Sequence, residues 1–225
     1  MAKFIFFLLG VILFSPVFEI SAHAAPVAVQ EQGCTACHRF SPDDPQENHK
    51  APDLFYAGNK FNKKWLIEYL RAPFPIRKAG YSSNKDFARK NSEPGKKHSS
   101  ISRKEAEEMA EILMSLKMDG VETGKLDAEP LSKGQRTRIK ILFERNYGCT
   151  ACHQALNLAG QVRGGVSGPT FINAADRLNP NWIFNWLNSP RTFMAKGRMP
   201  VFDLDDETAA KLTKYILTIK KDDAP

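Results

Sequence analysis

Apolar and polar positions along the chain fall into blocks of different period. Residues Phe4 to Phe14 are almost continuously apolar, behind Lys3 and ahead of Pro16. That run falls short of the about 20 apolar residues that span a bilayer, and Ser15, Pro16 and Glu19 interrupt it early. From Arg103 to Lys117 the apolar positions Ile112, Leu113 and Leu116 recur among charges, and from Asp206 to Lys220 Leu212, Ile216 and Ile219 do the same. This spacing predicts two amphipathic helices, with Ser102 and Asp205 placed to cap their first turns. A further helix is predicted from Ser132, with Ile139, Leu142, Phe143 and Tyr147 roughly on one face, running straight into Cys149. Between them Asp119 to Pro130 holds Gly120, Gly124 and Pro130 among charges, the composition of a linker.

These blocks belong to a repeat of about half the chain. Gly33-Cys34-Thr35-Ala36-Cys37-His38 recurs as Gly148-Cys149-Thr150-Ala151-Cys152-His153. Each histidine is followed by a loop that ends in a proline, Pro52 or Pro169; 13 residues later stands a tryptophan, Trp65 or Trp182, and 21 residues later a second proline, Pro73 or Pro190. Each half then closes in its amphipathic helix. The opening differs, because only nine residues, Ala25 to Gly33, would precede Cys34 if a leader were cut after Ala24.

Such a cut is expected. Lys3, the apolar run and the small residues around Ala22-His23-Ala24 have the layout of a cleaved secretory signal. The 225 residues carry a formal net charge of +7, with 25% charged and 10% aromatic residues, which excludes a mostly disordered chain. An exported chain seldom meets nucleic acid, so the positive excess points to acidic protein partners or anionic headgroups. Cys-x-x-Cys-His is the attachment signature of c-type haem: two thiols on one turn form thioethers to a porphyrin, and the adjacent histidine lies beneath the iron. One such motif could instead be a redox dithiol or half a zinc site. Two copies, each with its histidine, inside a longer repeat favour haem, and 115 residues between them argue against one shared zinc site.

On these motifs the chain resembles the class I cytochrome c family, as a tandem di-haem protein. The resemblance implies an all-α fold of two haem domains, residues 25–125 and 126–225 behind a signal at 1–24, with a basic insertion at 74–100 in the first. It implies two covalently bound haem c groups, held by Cys34 and Cys37 and by Cys149 and Cys152, with His38 and His153 as proximal iron ligands. The family's loop proline offers its carbonyl to the histidine's other nitrogen, so Pro52 would serve His38 and Pro169 would serve His153. Gly197-Arg198-Met199-Pro200 stands where the family presents its distal methionine, which names Met199, with Met194 as its rival. A thioether favours ferrous iron, so the second haem should be the more easily reduced.

The first half has no Met-Pro in that place. Met109, Met114 and Met118 lie in or at the end of its last helix, and methionines at helical spacing usually fill cores. His49 falls on the proximal side, which leaves His98 as the ligand expected for the first iron, with a methionine, a lysine or an open position as alternatives. From Arg71 to Lys104 ten Lys and Arg face only Asp86 and Glu93; this is either solvated loop charge or a docking patch for acidic redox partners. The expected function is single-electron transfer in the periplasm between a donor complex and a terminal oxidase or reductase. The competing readings are a di-haem redox enzyme, such as a peroxidase or a sulfur- or nitrogen-compound oxidoreductase with an open first haem, and the haem subunit of a dehydrogenase complex. No membrane span is expected once the signal is removed.

Overall fold

The computed structural model describes residues 26–45, 51–77, 98–195 and 197–221. The expected signal, His49, Lys96 and most of the basic insertion lie outside them. The fold is predominantly helical. The first half comprises α1 (Val27–Glu31), α2 (Ala57–Lys60), α3 (Lys63–Arg71) and α4 (Arg103–Ser115). The second comprises α5 (Lys133–Ile141), α6 (Ala174–Arg177), α7 (Pro180–Asn188), α8 (Pro190–Phe193) and α9 (Asp206–Leu217). A short antiparallel hairpin, β1 (Ala155–Leu156) with β2 (Val162–Arg163), departs from the all-helical expectation; Ala155 faces Arg163 and Leu156 faces Val162.

The caps are made by the residues the pattern singled out. Ser102 and Glu105 form a reciprocal capping box at α4, Ser132 and Gln135 another at α5, and Asp205 accepts from the Thr208 amide at α9. The α5 helix widens at Leu142–Asn146 into a π-type turn that buries Phe143 and delivers the chain to Cys149. The expected helices end a little early, at Ser115 and Leu217.

Each half has its own core. Val29, Phe40, Leu54, Leu66, Leu70, Met109 and Leu113 pack in the first; Ile139, Phe143, Ile172, Ile183, Leu187, Leu212 and Ile216 pack in the second. Met109 is a core residue, and Met114 packs beside it. A third cluster joins the halves: Tyr56 of the first lies against Trp182 and Phe193 of the second, with Met118 alongside.

The seam between the halves follows the repeat. Helices α2 and α6, and likewise α3 and α7, have the same lengths and stand 117 residues apart. Across the seam Phe61 bridges Leu178, its own equivalent at that offset. The flanking bonds are reciprocal: Asn62 N donates to Arg177 O at 2.9 Å, and Asn179 N donates to Lys60 O at 2.8 Å. Reciprocal contacts between equivalent residues define a local twofold axis, which passes through the Phe61–Leu178 bridge.

Candidate haem-attachment sites

Both cysteine motifs fold into the same turn. Gly33 and Gly148 adopt left-handed backbone angles, φ 68° and 59°, at the entrance to one turn of 3₁₀ helix over Cys34–Ala36 and Cys149–Ala151. A side chain at either glycine would be strained there. The His38 amide donates to Cys34 O and the His153 amide to Cys149 O, both at 3.0 Å, which brings each histidine onto the same turn as its cysteine pair.

Each imidazole is then fixed from behind. His38 Nδ1 lies 2.6 Å from Pro52 O, and His153 Nδ1 lies 2.6 Å from Pro169 O. A carbonyl only accepts, so Nδ1 carries the proton in both rings and Nε2 keeps its lone pair. Burial pushes His153 down to about 4, which keeps its ring neutral at pH 7. Phe171 stacks on that ring with centroids 4.3 Å apart, and Gly168 passes so close beneath it that a Cβ there would fall inside 3.0 Å of ring atoms.

No disulfide joins the four cysteines. Burial raises Cys34 above the ordinary thiol range and pushes Cys149 up to about 11. Redox dithiols have a lowered thiol pKa, so these turns do not have that electrostatic signature. Among the described residues no three His, Cys, Asp or Glu side chains gather as a metal-ion site. The donor set on each turn, two thiols beside a histidine whose Nδ1 faces a proline carbonyl, fits thioether attachment of a haem with imidazole ligation.

The residues expected on the opposite side lie in different settings. His98 is exposed; its Nδ1 is 2.8 Å from Ser99 O, and its ring centroid lies 6.2 Å from that of His38 and 5.6 Å from that of Tyr69. Tyr69 in turn stacks on Trp65 at 4.8 Å. Met199 is half-buried against the second core, and its Sδ accepts a hydrogen bond from Trp186 Nε1 at 2.9 Å. Met194 sits under Gly197 in the preceding turn.

Sequence reasoning passed over Tyr69 and Trp186. The repeat could have found them, because both stand 117 residues apart on α3 and α7 and each touches the residue proposed for its own half's open side. Sequence reasoning also left buried charge unmentioned. Arg39 and Asp53, 5% and 4% exposed, pair at 3.7 Å behind the first loop, while Arg177, 4% exposed, donates to Thr170 O at 2.7 Å. Of the basic run, Arg71, Arg103 and Lys104 are exposed, but Arg77 turns a guanidinium nitrogen into the protein. For Arg77 the expectation of solvated loop charge does not hold: the Ile76 carbonyl is bonded to Thr170 N and draws the segment onto the second half.

No curated protein and no solved structure matches the chain. The cytochrome c family model matches residues 137–220, a span that contains Cys149, Cys152, His153, Pro169, Trp186 and Met199. Residues 137–220 are therefore a cytochrome c family domain.

Proposed function

We propose that the chain is an exported di-haem c-type cytochrome that passes single electrons between a donor complex and an acceptor such as a terminal oxidase or reductase. The observation that carries this reading is the duplicated turn: the first half, outside the family match, reproduces the second half's cysteine turn and its 2.6 Å histidine–proline contact. Haem iron, when bound, cycles between ferric and ferrous states and so stores one electron per site.

Cys34 and Cys37 would attach one haem and Cys149 and Cys152 the other, with His38 and His153 as proximal ligands. The Pro52 and Pro169 carbonyls orient these rings and raise their donor strength. In the first half, His98 would be the second iron ligand. What supports this is that the His98 ring centroid lies 6.2 Å from that of His38. Ser99 O faces His98 Nδ1 as Pro52 O faces that of His38, so Nε2 would be the iron-binding atom in both. In the second half Met199 would be the second iron ligand, and its thioether would make that site the easier to reduce. No helix among the described residues is long and apolar enough to cross a membrane, and the leader reading places the mature chain in the periplasm. Its positive excess suits acidic redox partners.

Pyridine haemochrome and mass analysis of the exported protein should show two covalent haems on a chain lacking its first ~24 residues. The reduced protein should bind almost no carbon monoxide. His98→Ala should create one high-spin, CO-binding haem and leave the weak sulfur-to-ferric charge-transfer band in place, whereas Met199→Ala should abolish that band. One haem per chain overturns the tandem reading; stoichiometric CO binding by the wild type, or rapid peroxide turnover, overturns the carrier reading in favour of an enzyme.

A further inference from the structure

The second site is not completed by the second half alone. Thr170 follows Pro169, whose carbonyl holds His153. The two polar groups of the Thr170 backbone are satisfied from different places: its N–H donates to Ile76 O of the first half at 2.9 Å, and its carbonyl accepts from Arg177 at 2.7 Å. Arg177 is itself clasped by the first half, through the Asn62 amide on its carbonyl. The proximal loop is thus strapped to the segment that follows Pro73.

That strap also delivers charge. Arg77, next to Ile76, has a guanidinium nitrogen buried at the seam. Arg77 is one residue from the Ile76 carbonyl bonded to Thr170, Arg177 donates to the Thr170 carbonyl, and Thr170 adjoins the Pro169 carbonyl that holds His153, so both cations stand at the loop that braces this ring. Burial lowers Arg177 only to about 10, so it stays cationic at pH 7, and among the described residues no carboxylate pairs with it. A fixed cation beside a redox centre opposes the oxidised form, which carries one more positive charge. The effect is stronger in the interior than in water and less screened by salt.

We propose that Ile76 and Arg77 are positioning residues for the second haem site, acting from the other half of the molecule: Ile76 fixes the proximal loop and Arg77 biases the second haem towards its ferrous state. The inference rests on the haem reading of the second half. It deepens that reading by making the second potential a property of the seam, so that the two halves work as one unit and not as two carriers on a string.

The test uses the full chain with both haems. In spectroelectrochemical titration followed at the Met199 charge-transfer band, Arg77→Gln should raise the ferric-to-ferrous ratio of the second haem about fivefold at the wild-type midpoint. That is a fall of ~40 mV, at 59 mV per tenfold for one electron. Arg77→Lys should keep the ratio within about twofold, since it keeps the charge. The fall should persist at high salt and exceed any change at the first haem. Arg77→Met keeps the apolar stem and serves if the glutamine variant does not fold. Hydrogen exchange should find the Thr170 amide protected in the wild type and in both Arg77→Gln and Arg77→Lys. An unchanged second potential in the neutral variants, an equal shift at both haems, the same shift in Arg77→Lys, or a freely exchanging Thr170 amide would each overturn the proposal. A wild-type chain without a second haem is a different failure, visible in the haemochrome assay before any titration, and takes the underlying site reading with it.

Discussion

The two proximal loops reach the same 2.6 Å histidine–carbonyl contact by different means. In the first half the described part of the loop between His38 and Pro52 is braced by side chains. Arg39 and Asp53 pair behind it, Arg39 donates to Pro42 O, and Asp44 accepts from the Phe40 and Ser41 amides at 2.7 and 2.9 Å. In the second half the loop is braced by close backbone approach. Gly164 and Gly165 lie where a Cβ would strike the Thr150–His153 turn, and Gly168 lies under the imidazole itself. The position equivalent to Gly168, 117 residues earlier, is Ala51, which already carries a Cβ. The first loop is held by its own charged and polar side chains, whereas the second adds close glycine approach to the Ile76 and Arg177 bonds on Thr170, and the two should respond to different substitutions.

The largest expected effect comes from adding one methyl group. Gly168→Ala would set a Cβ inside 3.0 Å of Cε1, Nδ1 and Nε2 of His153 and drive the ring off Pro169 O. Overpacking of this kind costs about 1–3 kcal/mol, and the displaced ring should also weaken the second site's low-spin spectrum. Ala51→Gly, the reverse change at the equivalent place, should leave the first site's spectrum intact and cost only about 0.4–1 kcal/mol through backbone freedom. Thermal melts with parallel visible spectra check both; equal losses in the two variants would mean that the loops are not braced differently.

How far each site could be read from sequence follows the same division. Local features are legible because the residues that make them are neighbours. The caps at Ser102 and Asp205 and the helix start at Ser132 fall where spacing put them, and the Pro52 and Pro169 carbonyls lie 2.6 Å from the histidines that the family resemblance paired them with. The seam was not legible, because a lysine or arginine in a sequence is presumed solvated. Only the folded chain shows that Lys60 and Arg177, equivalents in the repeat, flank the local twofold axis, or that the Ile76–Arg77 segment is bonded to the other half's loop. Lys60 lies 5.0–5.7 Å from the centroids of Phe61, Tyr56 and Trp182, and burial pulls it down to about 7. The Trp186–Met199 contact escaped for another reason: it closes a loop containing α8, whose path depends on how Phe193 packs against Trp182 at 4.3 Å.

The distal sides sharpen the comparison at a smaller scale. Trp186 donates to the Met199 sulfur, whereas Tyr69, its equivalent, is a ring neighbour of His98 at 5.6 Å and stacks on Trp65. A donor on the sulfur draws electron density from it and disfavours ferric iron. Trp186→Phe should therefore lower the second midpoint, by about threefold in the ferric-to-ferrous ratio or ~30 mV, with the first unchanged. Tyr69→Phe keeps the ring and should move neither midpoint by a comparable amount. A redox titration in which Trp186→Phe leaves the second potential in place would show that the indole only fills space.

The smallest effect concerns how the second half fastens its hairpin to the approach to Cys149. Glu144, on the π-type turn, pairs with Lys140 and, at 2.6 Å, with Arg163 of β2; the first half has no hairpin among its described residues and no such clasp. Burial pushes the Glu144 carboxyl upward, but the hydrogen bonds and charges of Arg163 and Lys140 outweigh it, and the net shift is below the ordinary value of 4.5. A carboxyl with a lowered folded-state pKa binds fewer protons folded than unfolded, so its stabilisation is complete above the ordinary value and is lost as pH falls through the folded one. The clasp is partly solvated, which limits its worth to that of a surface pair. Glu144→Gln should lower Tm by about 2 °C at pH 7 for a chain of this size, and the gap to the wild type should close as the pH is taken below the ordinary carboxyl value. A gap that stays constant through the acid range would assign the loss to packing of the Glu144 stem and not to its charge.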